Sequence, residues 1–234
     1  MQNPIAVIFL LFMVFQSIKG GMPNNLMDWF IQTIILLPGI IVAISFHEFA
    51  HAKVASLCGD PTPRLQGRVT INPIAHIDPI GFIALIFIKF GWGKPVMISP
   101  KYFKRPRRDE FLVAVAGVTL NLVLALIFMG ILRLLYEFQG TFMNSEIGDI
   151  LGRILYQVVY FNIVLMLFNL LPIPPLDGFN IITQIFNLRN TRFYYQVYDK
   201  GFIILMTFIF FNITGRILTP AIIFIQNTLF SLFF

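Results

Sequence analysis

Two histidines four residues apart, with a glutamate directly after the first, stand in the run His47-Glu48-Phe49-Ala50-His51. On a helix such positions share a face, so His47 and His51 can grip one metal ion while Glu48 flanks it. The chemistry this allows is metal-assisted hydrolysis, in which the ion polarises a carbonyl and acidifies water while the carboxylate moves the proton. The setting is unusual for that chemistry. From Trp29 to about Leu57 the surroundings are rich in Ile, Leu, Val, Phe and Ala, over a length that would cross a membrane. Ionisable groups are costly to bury in such a segment and are functional candidates by default.

Two histidines leave a hydrolytic zinc site incomplete, because such sites use three protein ligands and keep one position open. His76 is the only other histidine. The remaining acid in an apolar setting is Asp177, at the end of Asn169-Leu170-Leu171-Pro172-Ile173-Pro174-Pro175-Leu176-Asp177-Gly178. Each proline there removes a backbone donor and disrupts the preceding helix, which a membrane tolerates only where protein or a wet cavity satisfies the backbone. An extended segment ending in Asp-Gly would aim a carboxylate sideways at a neighbouring helix. Burying Glu48 or Asp177 would cost roughly 2.5–3.5 kcal/mol at a span centre. A three-ligand zinc site returns on the order of 10 kcal/mol, which favours a metal over hydrogen bonding to Asn or Lys53. His76 reads more simply as a structural residue of its turn.

These groups need apolar elements to position them. Of 234 residues, 57% are hydrophobic and only 12% charged, about half the charge of a soluble domain. The fold class read from this is an all-α polytopic membrane protein, without enough polar sequence for a separate soluble domain. Cys58 is the only cysteine, which excludes an intrachain disulfide and thiolate zinc frameworks. The net charge of +6 is better matched to anionic lipid headgroups than to nucleic acid, for which no basic helix or aromatic platform is available.

About six transmembrane helices are expected: Ile5 to Ile18, Trp29 to Leu57, Phe111 to Tyr136, Ile150 to Leu171, Gly201 to Ile213, and Ile217 to Phe234. Ile80 to Phe90 is too short to cross and reads as re-entrant or interfacial. Arg68–Asn72 and Val96–Ser99 predict two short strands, giving a small β element between the second and third spans. An edge strand there could capture an unwound peptide. The whole chain, 1–234, reads as one domain with a core over 29–182 and a β/re-entrant region over 58–108. Basic residues crowd the connection between the second and third spans, above all in Lys101–Arg108, and recur at Arg189, Arg192 and Lys200. Glu137, Glu146 and Asp149 mark the opposite side. The positive-inside rule then places the basic connections in the cytoplasm. If Trp29 marks the outer interface, His47 lies about 27 Å further along the helix, near the inner edge of a core about 30 Å thick. Asp177 arrives at a similar depth on the inward-running fourth span.

With these residues in view, the chain resembles the site-2 proteases, a family of intramembrane zinc metalloproteases, in a short form lacking PDZ and CBS domains. The resemblance covers roughly Ile31 to Ile182. It rests on the pentad and on Gly59-Asp60-Pro61-Thr62 and Gly67-Arg68. It continues through Asn72-Pro73-Ile74-Ala75-His76-Ile77-Asp78-Pro79, Ala116-Gly117-Val118-Thr119-Leu120-Asn121 and Asn169–Gly178. It implies His47, His51 and Asp177 as zinc ligands, Glu48 as general base, and Asn121 and Asn169 as positions for substrate or transition-state contacts. Val118 departs from the family's usual proline. Read from the residue alone, Asn121 can equally be an interhelical hydrogen-bonding group.

The expected activity is a zinc-dependent endopeptidase cutting transmembrane segments of membrane-anchored proteins, in regulated proteolysis or clearance of membrane remnants. The expected location is a prokaryotic cell membrane, crossed several times, with the active site near the cytoplasmic face. Its partners are a membrane-protein substrate with a transmembrane helix and the lipids themselves, not nucleic acid. A non-catalytic zinc-binding membrane protein and an ion transporter using the same residues are the alternatives.

Overall fold

The computed structural model describes residues 25–88 and 91–234. The expected first span, Ile5 to Ile18, lies outside the described residues. Among the described residues, eight helices of eight residues or more carry the fold: α1 (Leu26–Leu57), α2 (Pro79–Ile88), α3 (Pro106–Phe138), α4 (Glu146–Asn169), α5 (Asp177–Ile185), α6 (Arg192–Asp199), α7 (Gly201–Phe210) and α8 (Ile213–Phe233).

Four of them are long and apolar enough to cross a membrane: α1 from Met27, α3, α4 and α8. They start where the sequence supplies caps. The Asn25 side chain accepts from Met27 N at α1, and Ser145 accepts from Gly148 N at α4. α3 begins at Pro106, whose missing N–H costs nothing in a first turn. The expected fifth span is shorter than the sequence predicts. α7 holds only ten residues, about 15 Å or half a hydrocarbon core. It ends at Phe210 with Phe211 as its cap, and Asn212 follows with a left-handed φ of 54°.

α1, α3 and α4 pack against one another as the central layer, with α8 outside them. Ala125, Met129 and Leu132 of α3 interleave with Val159 and Ile163 of α4 and Leu229 of α8. In lipid no hydrophobic gain drives this association, so close packing and interhelical hydrogen bonds must supply it. The Pro-rich segment after α4 is buried by a second cluster, in which Leu171, Ile173 and Leu176 meet Leu205 and Met206 of α7. α7 therefore backs the segment that leads to Asp177.

The expected β element does not form: among the described residues the only bridge pairs Ile77 with Gly93. The reason lies in where the amides go. Lys94 N donates to His76 O (2.7 Å), Val96 N to Glu48 Oε2 (3.0 Å) and Ser99 N to Asp60 Oδ2 (2.6 Å). Each donor is taken by a different part of the chain, leaving no ladder for a partner strand. The Arg68 guanidinium adds bonds to the carbonyls of Ala75 and Pro95. The expected re-entrant piece is α2, a helix too short to cross.

Candidate metal centre

His47 and His51 project from one face of α1 into the layer between α1 and α3, and both are buried. α3 makes room for them through one residue. A methyl group at Gly117 would lie 2.5 Å from His51 Nε2 and 2.6 Å from His47 Cε1, closer than a Cβ can sit. The two rings meet edge to face, with their Nε2 atoms 3.0 Å apart.

Asp177 comes from the far side. α4 ends at Asn169, the prolines carry the chain across, and α5 begins at Asp177 itself. Gly178 permits the crossing, since a Cβ there would stand 2.2 Å from the carbonyl oxygen of Leu170. Asp177 Oδ2 then lies 3.2 Å from the Nε2 atoms of both His47 and His51. The three residues together offer ligand atoms within 4.8 Å of one another.

The donor set suits zinc, which takes imidazole nitrogen and carboxylate oxygen at about 2.0–2.2 Å in tetrahedral sites. Each ring is also held from behind, as ligand histidines usually are. His51 Nδ1 donates to Val113 O at 2.8 Å, and His47 Nδ1 donates to Asn121 Oδ1 at 2.7 Å. Protons on both Nδ1 atoms leave both Nε2 lone pairs directed at the shared point. Within the site's own cluster the fit is complete: two bare imidazole nitrogens and one carboxylate oxygen that has no hydrogen-bond donor.

Glu48, next to His47 on α1, is half-buried and accepts the Val96 amide. It shares with the three ligand candidates a cavity of about 390 Å³, which Asn169, Asn180, Tyr194 and Tyr198 also line. The wall towards α6 is aromatic: Phe179 stacks on Tyr194 at 5.7 Å, and Tyr194 on Tyr198 at 5.4 Å. At the open side Glu110 pairs with Arg189 and accepts from Gln184 Nε2, while Arg107 donates to the carbonyls of Gln184 and Ile185. These contacts tie the end of α5 to the start of α3.

Asn169 lines the cavity and donates to Leu165 O. Asn121 does not reach it. It is fully buried, with Oδ1 on His47 and Nδ2 shared between Ala43 O (3.1 Å) and Asn162 Oδ1 (2.8 Å). With Val118 in place of proline α3 runs unbroken through this turn, and that regularity brings Asn121 to His47. His76 stands apart from the cluster, its Nε2 donating to Thr70 O. Two residues absent from the sequence reading belong here, Glu110 and Asn162, and Gly117, named there only within its motif, gains a role of its own. An asparagine inside the apolar run Val158–Phe168 was the available signal for Asn162.

The chain is similar over almost its whole length to a bacterial protein. YwhC of Bacillus subtilis (strain 168), named as a candidate zinc metalloprotease, is 35% identical over 211 residues, covering 90% of this chain and 93% of YwhC. The chain belongs to peptidase family M50. The M50 family signature itself matches residues 143–212, the stretch from the end of the α3–α4 connection through the Pro-rich crossing and Asp177 to Asn212. Rip2 of Mycolicibacterium smegmatis, also named as a candidate zinc metalloprotease, is 28% identical over 195 residues, 81% of this chain and 68% of that one. Rip2 of Mycobacterium tuberculosis (strain H37Rv) is 30% identical over 152 residues, covering 62% and 55%. No solved structure matches the chain significantly. As an M50 peptidase the chain is a zinc metalloprotease of the site-2 protease family, and its four long apolar helices make it a multi-pass membrane protein.

Proposed function

We propose that the protein is an intramembrane endopeptidase that cuts transmembrane segments of membrane-anchored proteins near the cytoplasmic face. The observation that carries this reading is the convergence of His47, His51 and Asp177 on one buried point between apolar helices, with Glu48 in the same cavity. In this reading His47, His51 and Asp177 hold the zinc, and 1–234 acts as one catalytic domain with its core over 29–182. Zinc, when bound, supplies Lewis acidity that polarises a peptide carbonyl and acidifies water.

The chain's own residues do the rest. Glu48 takes the proton from water and hands it to the leaving amine, as a general base and then a general acid. The Val96 amide, bonded to one Glu48 oxygen, fixes the carboxylate's direction while leaving the other oxygen for the proton. The Asn169 side chain at the cavity wall supplies a polar contact for the peptide. A helical substrate must unwind locally to be cut, because its carbonyls are already hydrogen-bonded. The cavity, lined by both polar and apolar side chains, suits an extended peptide leaving lipid. The basic Lys101–Arg108 run and Arg189 favour a cytoplasmic placement of this side. Substrates would be tethered regulators or membrane remnants.

The test is cleavage of a model single-span substrate in proteoliposomes by wild type and Glu48→Gln. The expected result is a product with wild type only, and equal zinc in both proteins. Equal cleavage by the variant would remove Glu48 from the chemistry. Zinc binding without cleavage of any single-span substrate by wild type would favour a non-catalytic metal protein.

A further inference from the structure

We propose that Asn162 is a positioning residue that sets which ring nitrogen of His47 carries the proton, acting through Asn121. The proposal rests on the reading of His47 as a metal ligand, and it concerns two amides that touch neither ligand cavity nor substrate.

The backbone carbonyl of Val158 can only accept. Val158 O receives the Asn162 Nδ2 donor at 2.8 Å. With its nitrogen turned that way, Asn162 must present Oδ1 on its other side, where Asn121 Nδ2 meets it at 2.8 Å. The second proton of Asn121 Nδ2 goes to Ala43 O, one helical turn before His47. Both protons of that amide are now used on acceptors, so only Oδ1 remains to face His47. An oxygen there obliges His47 Nδ1 to donate, at 2.7 Å, so the neutral ring keeps Nε2, which faces Asp177, as its lone pair. Reversing Asn121 would set its oxygen against two other oxygens with no proton between them. Asn121 and Asn162 are both fully buried, so water cannot substitute for either partner.

The orientation of one backbone carbonyl on α4 thus fixes, through two asparagines, the tautomer of a histidine on α1. Partners of ligand histidines tune metal affinity by about 10- to 100-fold. A residue one step further out should act at the lower end of that range.

The experiment uses the full-length protein labelled with 15N-histidine, metal-free and reconstituted at a pH alkaline enough that the histidine rings are neutral, with long-range proton–nitrogen spectra that report which ring nitrogen is protonated. Wild type is expected to show His47 protonated on Nδ1, and Asn162→Leu to show a mixture of both tautomers. Zinc affinity, read by competition with a chelator, should fall about tenfold in Asn162→Leu. In an Asn121→Asp background the carboxylate accepts from His47 whichever way it turns, so Asn162→Leu should cost less than about twofold further. Nδ1-free His47 in wild type, an unchanged tautomer in Asn162→Leu, or the same affinity loss in both backgrounds would overturn the relay. Undiminished zinc affinity in His47→Ala would instead overturn the ligand assignment, and the metal-free spectra would still decide the relay.

Discussion

Gly117 faces His51 so closely that a methyl group on its Cα would stand 2.5 Å from the ring's Nε2 atom, the nitrogen turned towards His47 and Asp177. The ligand pair on α1 therefore depends on the absence of a side chain on α3. Gly117→Ala should displace both rings at a cost of about 1–3 kcal/mol, the usual range for overpacking a filled interior. Zinc affinity should drop by roughly tenfold or more, as chelator competition would show, with helix content unchanged by circular dichroism. Wild-type affinity in the variant would mean that the helices yield there.

Glu48 is held by a backbone donor, which can be removed without touching the metal ligands. Val96→Pro deletes the N–H that bonds Glu48 Oε2. A hydrogen bond to a charged group contributes about 1.5–3 kcal/mol, so kcat on a peptide substrate should fall roughly ten- to a hundredfold. Zinc content measured by elemental analysis should stay at the wild-type level.

Arg107 steadies α5 from the far end by donating to two of its last carbonyls. Because Arg107 is largely exposed, its loss should cost only about 1 kcal/mol. Arg107→Ala should therefore lower the melting temperature by roughly 2–4 °C. Loosening the helix that begins at Asp177 should also speed zinc release, which stopped-flow transfer to a chromophoric chelator would record.

Cys58 caps the C-terminal end of α1 beside Asp109 and Arg108. Burial pushes its thiol up from the ordinary value and Asp109 pushes it further, against a smaller opposing effect of Arg108. A raised pKa means less thiolate at neutral pH, so alkylation at pH 7.5 should be slower than for a free cysteine and should accelerate above pH 9. With the basic side in the cytoplasm, a membrane-impermeant maleimide should label Cys58 in lysed but not in intact cells.

The candidate ligands are more legible in the chain than the residues that hold them. His47, Glu48 and His51 declare themselves by spacing, and Asp177 by its place after a proline-broken span, because ionisable groups stand out against apolar sequence. The strands predicted at Arg68–Asn72 and Val96–Ser99 failed because their amides are taken elsewhere: Val96 and Ser99 answer Glu48 and Asp60, dozens of residues away, while Arg68 and Asn72 answer Pro63 O and Thr70 Oγ1 close by. The fifth span read as longer than α7, because hydropathy runs past Phe210 whereas the helix stops before the left-handed Asn212. Asn121 is visible as a polar residue in a span, but its pairing with another helix is not. Only the packing of α1, α3 and α4 shows that it spends its amide on His47 and Asn162.

The most direct test of the account is the zinc content of purified Asp177→Ala beside wild type and Glu48→Gln, each passed through the same mild chelating step. Wild type and Glu48→Gln should each retain one zinc per chain, and Asp177→Ala should lose most of it. A full equivalent of zinc in Asp177→Ala, as tightly held as in wild type, would contradict the three-ligand centre.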